Sequence, residues 1–225
     1  MALDQARLRF VEKARAVISL LGRCSSRSAE YNFVLQHLPS NDATILDVGC
    51  TDSLLALRIA EMGYKTYGVD FRRYSERHAR LGFVRGDLLH LPFPDGFFDT
   101  AVAVSTIEHI GLGAYGDPIQ ESADHVAMRE AWRVLKVGGS VLMTVPFAAK
   151  HRTATWKGTV ERYYDSDTLR TLCRGFVVCT QRFFVARSRF DWIDGSEDDA
   201  KDPGLKWHAN AALVLSKHIS PDHSG

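Results

Sequence analysis

Glu108 and His109 are the residues best suited to move a proton. They stand side by side just after the apolar run FDTAVAVS, residues 98–105. An imidazole titrates near neutrality, so it can hold a lone pair at physiological pH and accept a proton on demand. A neighbouring carboxyl can orient that ring or bind a polar ligand. Three further acids close short apolar runs: Asp47 in ILDVGC, Asp70 in KTYGVD and Asp87 in FVRGD. Asp70 follows Asp47 by about one strand–helix–strand unit. An acid at the end of a second strand can accept hydrogen bonds from both hydroxyls of a ribose. Gly49 supplies a tight turn where a side chain would hold the backbone away from a ligand. Thr51 and Ser53 stand where a complete glycine fingerprint would place two more glycines.

These residues need elements to carry them. Residues 44–48 and 65–69 read as the first two strands, with a helix over 52–62 between them and Gly63 as its cap. A helix is expected over 74–81, ended by Gly82, and a short third strand at 83–87. Two prolines and Asp-Gly make 91–96 a turn-rich loop. Residues 98–105 form a continuous apolar strand of the kind buried on both faces of a parallel sheet. An amphipathic helix over 124–137 ends at Gly138-Gly139, and 140–145 is the fifth strand. Asp165 or Ser166 caps a helix that runs to Cys173. The last two strands are expected at 176–186 and 211–216. Residues 191–204 read as an acidic, solvated loop. Ahead of the sheet, 4–21 is an amphipathic helix, and Ser28 can cap a second helix over 29–38. Alternating strands and helices imply an α/β fold around a mostly parallel sheet.

The series ILDVGC, YGVD and GDLLHLPFPDGFFDTAVAVSTIEHIG resembles the ordered motifs of class I S-adenosylmethionine-dependent methyltransferases, in particular the small-molecule group. The resemblance covers roughly residues 41–146. It implies a Rossmann-like, doubly wound, mostly parallel seven-stranded sheet with an antiparallel last strand. It also implies a single methyltransferase domain over 1–225, with 1–40 as an N-terminal helical cover and 41–220 as the core. The cofactor implied is S-adenosylmethionine, with S-adenosylhomocysteine as product.

By that resemblance, Asp47, Gly49 and Cys50 face the amino-acid and ribose portion of the cofactor. Asp70 takes the ribose hydroxyls, and Phe71 lies against adenine. Asp87 accepts from the exocyclic amine, and the Leu88 amide meets a ring nitrogen. Ser105 closes the fourth strand where methyl group and acceptor should meet. His109 is favoured as general base, with Glu108 orienting it. Tyr115 in the glycine-rich segment 111–118, with His151, Arg152 and Tyr163 after the fifth strand, is expected to contact the acceptor; Lys157 is a further candidate. IEHIGLGAYGDP resembles sequences associated with sugar and glycan modification, so a sugar or glycoside is the first acceptor class. Glu108, His109 and Asp117 are weakly spaced candidates for a magnesium site; no compact ligand motif calls for a metal.

A chain of 225 residues with 45% hydrophobic and 24% charged residues fits one large soluble α/β unit. A net charge of +1 gives no general pull toward nucleic acid or anionic membrane. Four cysteines without CxxC spacing point to neither a zinc site nor a disulfide framework. The polar N-terminal segment lacks the apolar core of a signal peptide, so a cytoplasmic location is expected. Two other readings stay open: methylation of an RNA ribose 2′-hydroxyl, and a cofactor-binding partner protein without catalysis.

Overall fold

The computed structural model describes residues 24–40, 42–156, 158–205 and 207–218. The expected helix at 4–21 and the candidate Lys157 lie outside the described residues.

Five parallel strands carry the first part of the sheet: β1 (Thr44–Val48), β2 (Lys65–Asp70), β3 (Leu81–Arg85), β4 (Phe98–Val104) and β5 (Leu135–Phe147). A separate hairpin follows, β6 (Arg152–Trp156) and β7 (Thr159–Tyr163). Then come β8 (Phe176–Ser188), β9 (Asp191–Gly195) and β10 (Ala209–Lys217). The main sheet has eight strands in the order β3-β2-β1-β4-β5-β10-β8-β9. β10 enters antiparallel between β5 and β8, and β9 runs antiparallel along β8. The fold is therefore the expected Rossmann-like α/β sheet, corrected from seven strands to eight. The extra strand comes from the acidic segment read as a loop: Trp192 is buried among apolar residues and draws that segment onto the sheet edge.

Side-chain alternation builds a core on each face of the sheet. Ala101 and Ala103 of β4 pack with Leu46, Val48 and Met143 on one face, against α3 (Ala123–Val134) and α4 (Ser166–Leu172). Val102 and Val104 pack with Ile45 and Leu142 on the other, against α1 (Ser26–Gln36) and α2 (Leu55–Glu61). Each such fully buried branched side chain contributes about 1.5–3 kcal/mol through removal of its apolar surface from water. Strand order reverses between β1 and β4, and the crevice at that reversal is where ligands sit in open α/β sheets. Register sets Asp47 beside Gly68 and Val102, and Asp70 beside Arg85, so the acids gather at one edge of the sheet.

Several boundaries differ from expectation, each for a local reason. α1 starts at Ser26 because Ser25, in extended conformation, is the cap and accepts from the Ser28 amide; Ser28 itself lies inside the helix. α2 begins only at Leu55, whose amide is taken by Ser53 Oγ at 2.9 Å. The expected helix at 74–81 is absent. That segment has no apolar stripe to bury: Tyr74 turns inward onto Cys50 and Ala56, and the other residue it buries before Leu81 is the charged Glu76. β3 then begins early, at Leu81, pairing with Thr66. α3 ends at Val134, before the two glycines, because Leu135 already pairs with Phe98 as β5. α4 begins after Asp165, which forms a capping box with Thr168. The short α5 (Glu197–Ala200) is capped likewise by Ser196 and Asp199. Among the described residues no helix is long and apolar enough to cross a membrane.

Candidate active site

A cavity of about 410 Å³ opens at the C-terminal ends of β1, β2 and β4. Gly49, Asp70, Phe71, Asp87, Leu88, Ser105, His109, Tyr115 and Asp117 all line it. The structure thus gathers most of the residues singled out from sequence. Asp47, Cys50, Glu108, His151, Arg152 and Tyr163 are not in its lining.

The turn after β1 depends on glycine twice over. Gly49 has φ +75, a region that favours glycine, and a Cβ there would lie 2.4 Å from Thr106 Cγ2. Its amide donates to Val69 O at 2.8 Å, which locks the turn against β2. Cys50 is fully buried and points its thiol at Gly68, so it packs the turn from behind. Asp47 is also buried. Burial pushes its carboxyl up to about 7, with Asp70 adding to the shift and the Ala56 amide and Arg27 opposing it. Its Oδ2 atom has no hydrogen-bond partner among the described residues.

Asp70 accepts the Thr51 amide at 3.1 Å and the Arg72 amide at 2.9 Å. Asp52, beside it in the cavity, has a buried Oδ1 with no hydrogen-bond partner among the described residues. Two acids, an apolar wall from Phe71 and Leu88, and a glycine turn match the needs of an adenosine ligand with a cationic amino-acid tail. The residues present therefore fit S-adenosylmethionine. Asp87 sits past the end of β3, exposed, and its Oδ1 accepts the Leu89 amide at 2.8 Å. It forms the rim of the cavity.

The opposite wall holds a network that sequence reading missed. Ser105 adopts φ +48, unusual for a residue with a side chain. Its Oγ donates to Glu30 Oε1 at 2.6 Å. Thr144 Oγ1 and Asn210 Nδ2 donate to the same oxygen, each at 2.9 Å. One carboxylate of α1 therefore ties together the ends of β4, β5 and β10. Arg27, one turn earlier, lines the cavity and donates to Val104 O at 3.2 Å. The mixture of acid and base one turn apart on a short helix was a readable signal for such anchoring.

His109 lies on a single 3-10 turn, Ile107–His109. Its Nδ1 donates to the Val160 carbonyl at 2.9 Å, so the neutral ring keeps its lone pair on Nε2. Nε2 stands 3.8 Å from Glu108 Oε1 and 4.0 Å from Glu161 Oε2. Burial holds the imidazole below its ordinary value, helped by Arg27 and Arg162 and opposed by the Val160 carbonyl and Asp117. Glu108 is pushed well up by burial, with Glu161 and Glu30 adding to it. The spacing is that of an ion pair, yet no hydrogen bond links the two groups, and desolvation outweighs the attraction. His109 is therefore neutral at neutral pH, and Glu108 is shifted toward its protonated form.

Asp117 spends its carboxylate on its own loop. Oδ2 accepts the Gly111 amide at 2.8 Å and the Gly113 amide at 3.4 Å, and Oδ1 accepts the Tyr115 amide at 3.2 Å. Among the described residues no three His, Cys, Asp or Glu side chains converge as a metal-holding group. His151 and Arg152 are exposed on the β6–β7 side; Arg152 lies 4.3 Å over the Tyr163 ring, and the Tyr163 hydroxyl donates to Glu161. Arg152 and Tyr163 connect toward His109 through Glu161, whereas His151 lies against the Tyr164 ring.

Residues 46–143 match the family model described as a methyltransferase domain. A protein of Mycolicibacterium smegmatis named as a probable S-adenosylmethionine-dependent methyltransferase is 30% identical over 107 residues, 45% of this chain and 37% of that protein. A protein of Encephalitozoon cuniculi, also named for methyl transfer, is 31% identical over 111 residues, 49% of each. The chain spans about half the length of these curated relatives, or less. Among solved structures, Burkholderia thailandensis 1,6-didemethyltoxoflavin-N1-methyltransferase, with 1,6-didemethyltoxoflavin and S-adenosylhomocysteine bound, has a TM-score of 0.66 at 16% identity. That similarity covers 97% of this chain and 94% of the other. Residues 46–143 thus match a methyltransferase domain, and the chain has the fold of solved S-adenosylmethionine-dependent methyltransferases.

Proposed function

We propose that the chain moves a methyl group from S-adenosylmethionine to an oxygen of a small molecule, with a sugar or glycoside as the first acceptor class. The observation that carries this reading is His109: it lines the cavity, is neutral, and has Nδ1 fixed by the Val160 carbonyl. When bound, S-adenosylmethionine supplies a methyl carbon already activated by its sulfonium. A hydroxyl acceptor must also lose a proton, and His109 takes it at Nε2. A positioned base of this kind contributes about 10²–10⁴-fold. Asp70 and Gly49 hold the ribose end; Ser105 and Thr106 face the reacting end from the turn just after β4. The glycine-rich loop brings its backbone and the Tyr115 ring to the cavity, which suits a polar acceptor with a flat face to cover.

The test is calorimetric binding of S-adenosylmethionine and S-adenosylhomocysteine, followed by an acceptor screen with methyl-labelled cofactor. Label on a sugar or glycoside oxygen supports the reading, and nuclear magnetic resonance of the product locates the atom. Label on a nitrogen, or on RNA, would replace the acceptor assignment. Binding without turnover on any acceptor would favour a non-catalytic partner protein.

A further inference from the structure

Arg72 lines the cavity and has no place in the motif series. Its Nη1 donates to Asp52 Oδ2 at 2.7 Å. Its Nε and Nη2 reach the two oxygens of Asp70 at 3.4 Å each, beyond the usual N–H···O distance. Its guanidinium carbon lies 4.5 Å from the centre of the Tyr115 ring, within cation–π range. The side chain is therefore pinned by Asp52 and Tyr115 and leans on Asp70 only loosely. Ribose hydroxyls can replace the two long contacts while the short one to Asp52 stays in place.

Tyr115 belongs to the loop that Asp117 folds. Gly111, Gly113 and Gly116 have φ of +75, +70 and +88, so the loop turns sharply and presents Tyr115 back toward the pocket. The ring meets Arg72, and His109 stands 5.4 Å away in an edge-on arrangement. The Arg72–Tyr115 contact thus joins the cofactor side of the cavity to the loop beside His109.

We propose that Arg72 is a positioning residue for the cofactor: anchored by Asp52, it holds the Tyr115 loop over the ribose end of the pocket. Arg72 and Tyr115 then act as one unit on cofactor affinity. The proposal rests on the reading that this pocket takes S-adenosylmethionine. Arginine is required because its planar group can bond Asp52 and lie on an aromatic face together, which an ammonium cannot do.

The test is a double-mutant cycle on S-adenosylhomocysteine affinity by calorimetry, with a melting curve for each protein. R72M and Y115L should each weaken binding about tenfold. The R72M/Y115L double variant should bind no more weakly than the worse single variant, because residues in contact do not add. R72K should recover less than half of the lost affinity in logarithmic terms. R72Q stands in for R72M if the latter melts early. An additive double variant, an R72M or R72Q protein that binds like the wild type, or full recovery in R72K would each overturn the proposal. Wild-type protein that binds no S-adenosylhomocysteine would overturn the cofactor reading and the proposal with it; the other outcomes strike the proposal alone.

Discussion

The imidazole Nδ1 of His109 lies 2.9 Å from the carbonyl oxygen of Val160, 51 residues further along the chain. A carbonyl only accepts, so the contact fixes both the ring's orientation and its tautomer. The β6–β7 hairpin, which stands apart from the main sheet, is therefore the element that aims the proposed base.

Replacing His109 by alanine should lower turnover by about 10²–10⁴-fold and leave S-adenosylhomocysteine affinity within a factor of two. The pH profile carries the same assignment. Protonation removes the base, and burial holds the His109 value below 6.5, so turnover should fall only as pH drops under 6.5. An acid limb centred above 6.5 would place the base elsewhere.

Asp70→Asn should weaken S-adenosylhomocysteine binding about 10–100-fold. Hydrogen bonds to a charged acceptor contribute about 1.5–3 kcal/mol, and the ribose would lose that charge. Calorimetry reads the effect directly, and an unchanged dissociation constant would remove Asp70 from the ribose site.

Glu108→Gln should raise the melting temperature at neutral and alkaline pH. Burial pushes the Glu108 carboxyl toward its protonated form, with its value raised well above 4.5. Its unfolded form ionises near 4.5, so unfolding releases a proton above that pH and wild-type stability declines as pH rises through the window up to the raised value. A glutamine mimics the protonated acid and removes that slope. The two proteins should converge below pH 4.5; parallel melting curves at every pH would mean that Glu108 is ionised in the fold.

Glu30→Ala should cost about 3–5 kcal/mol in urea unfolding. It removes the shared acceptor of Ser105, Thr144 and Asn210 and leaves buried donors without it. It also leaves the left-handed Ser105 without its anchor. A loss under 1 kcal/mol would show that those donors find other acceptors.

The sheet was legible wherever apolar runs were long and bounded by glycine or proline. The run FDTAVAVS became β4, and LDVG with YGVD placed the cavity at the right strand ends. What periodicity could not show was long-range closure. Glu30 lies in α1, yet its partners lie in β5, β10 and the turn after β4; the neighbouring Arg27 hints at an anchor but not at which strands it ties. The β6–β7 hairpin did carry a local signal: β-branched residues in RTATW and TVERY flank Gly158, which has φ +83. The charged and aromatic residues interspersed there, Arg152 and Tyr163 among them, mask that pattern. The helix expected over 74–81 failed for the opposite reason. Polar residues of fair helix propensity do not make a helix when the apolar residues to be buried, Tyr74 and Leu81, stand only at its two ends.

β9 ends the sheet, and so it decides what the protein's open edge offers to other molecules. An exposed row of unpaired amides and carbonyls is a template for the edge of another copy. Here that row belongs to a strand of five residues that is already partly covered: the Trp192 amide donates to the Cys24 carbonyl at 3.1 Å, and Asp194 is paired with Arg182. A second copy approaching edge to edge would find its first pairing position beside Asp191 already taken by Cys24. The short stretch ahead of α1 thus shortens the free edge of the sheet and leaves little of it for strand addition.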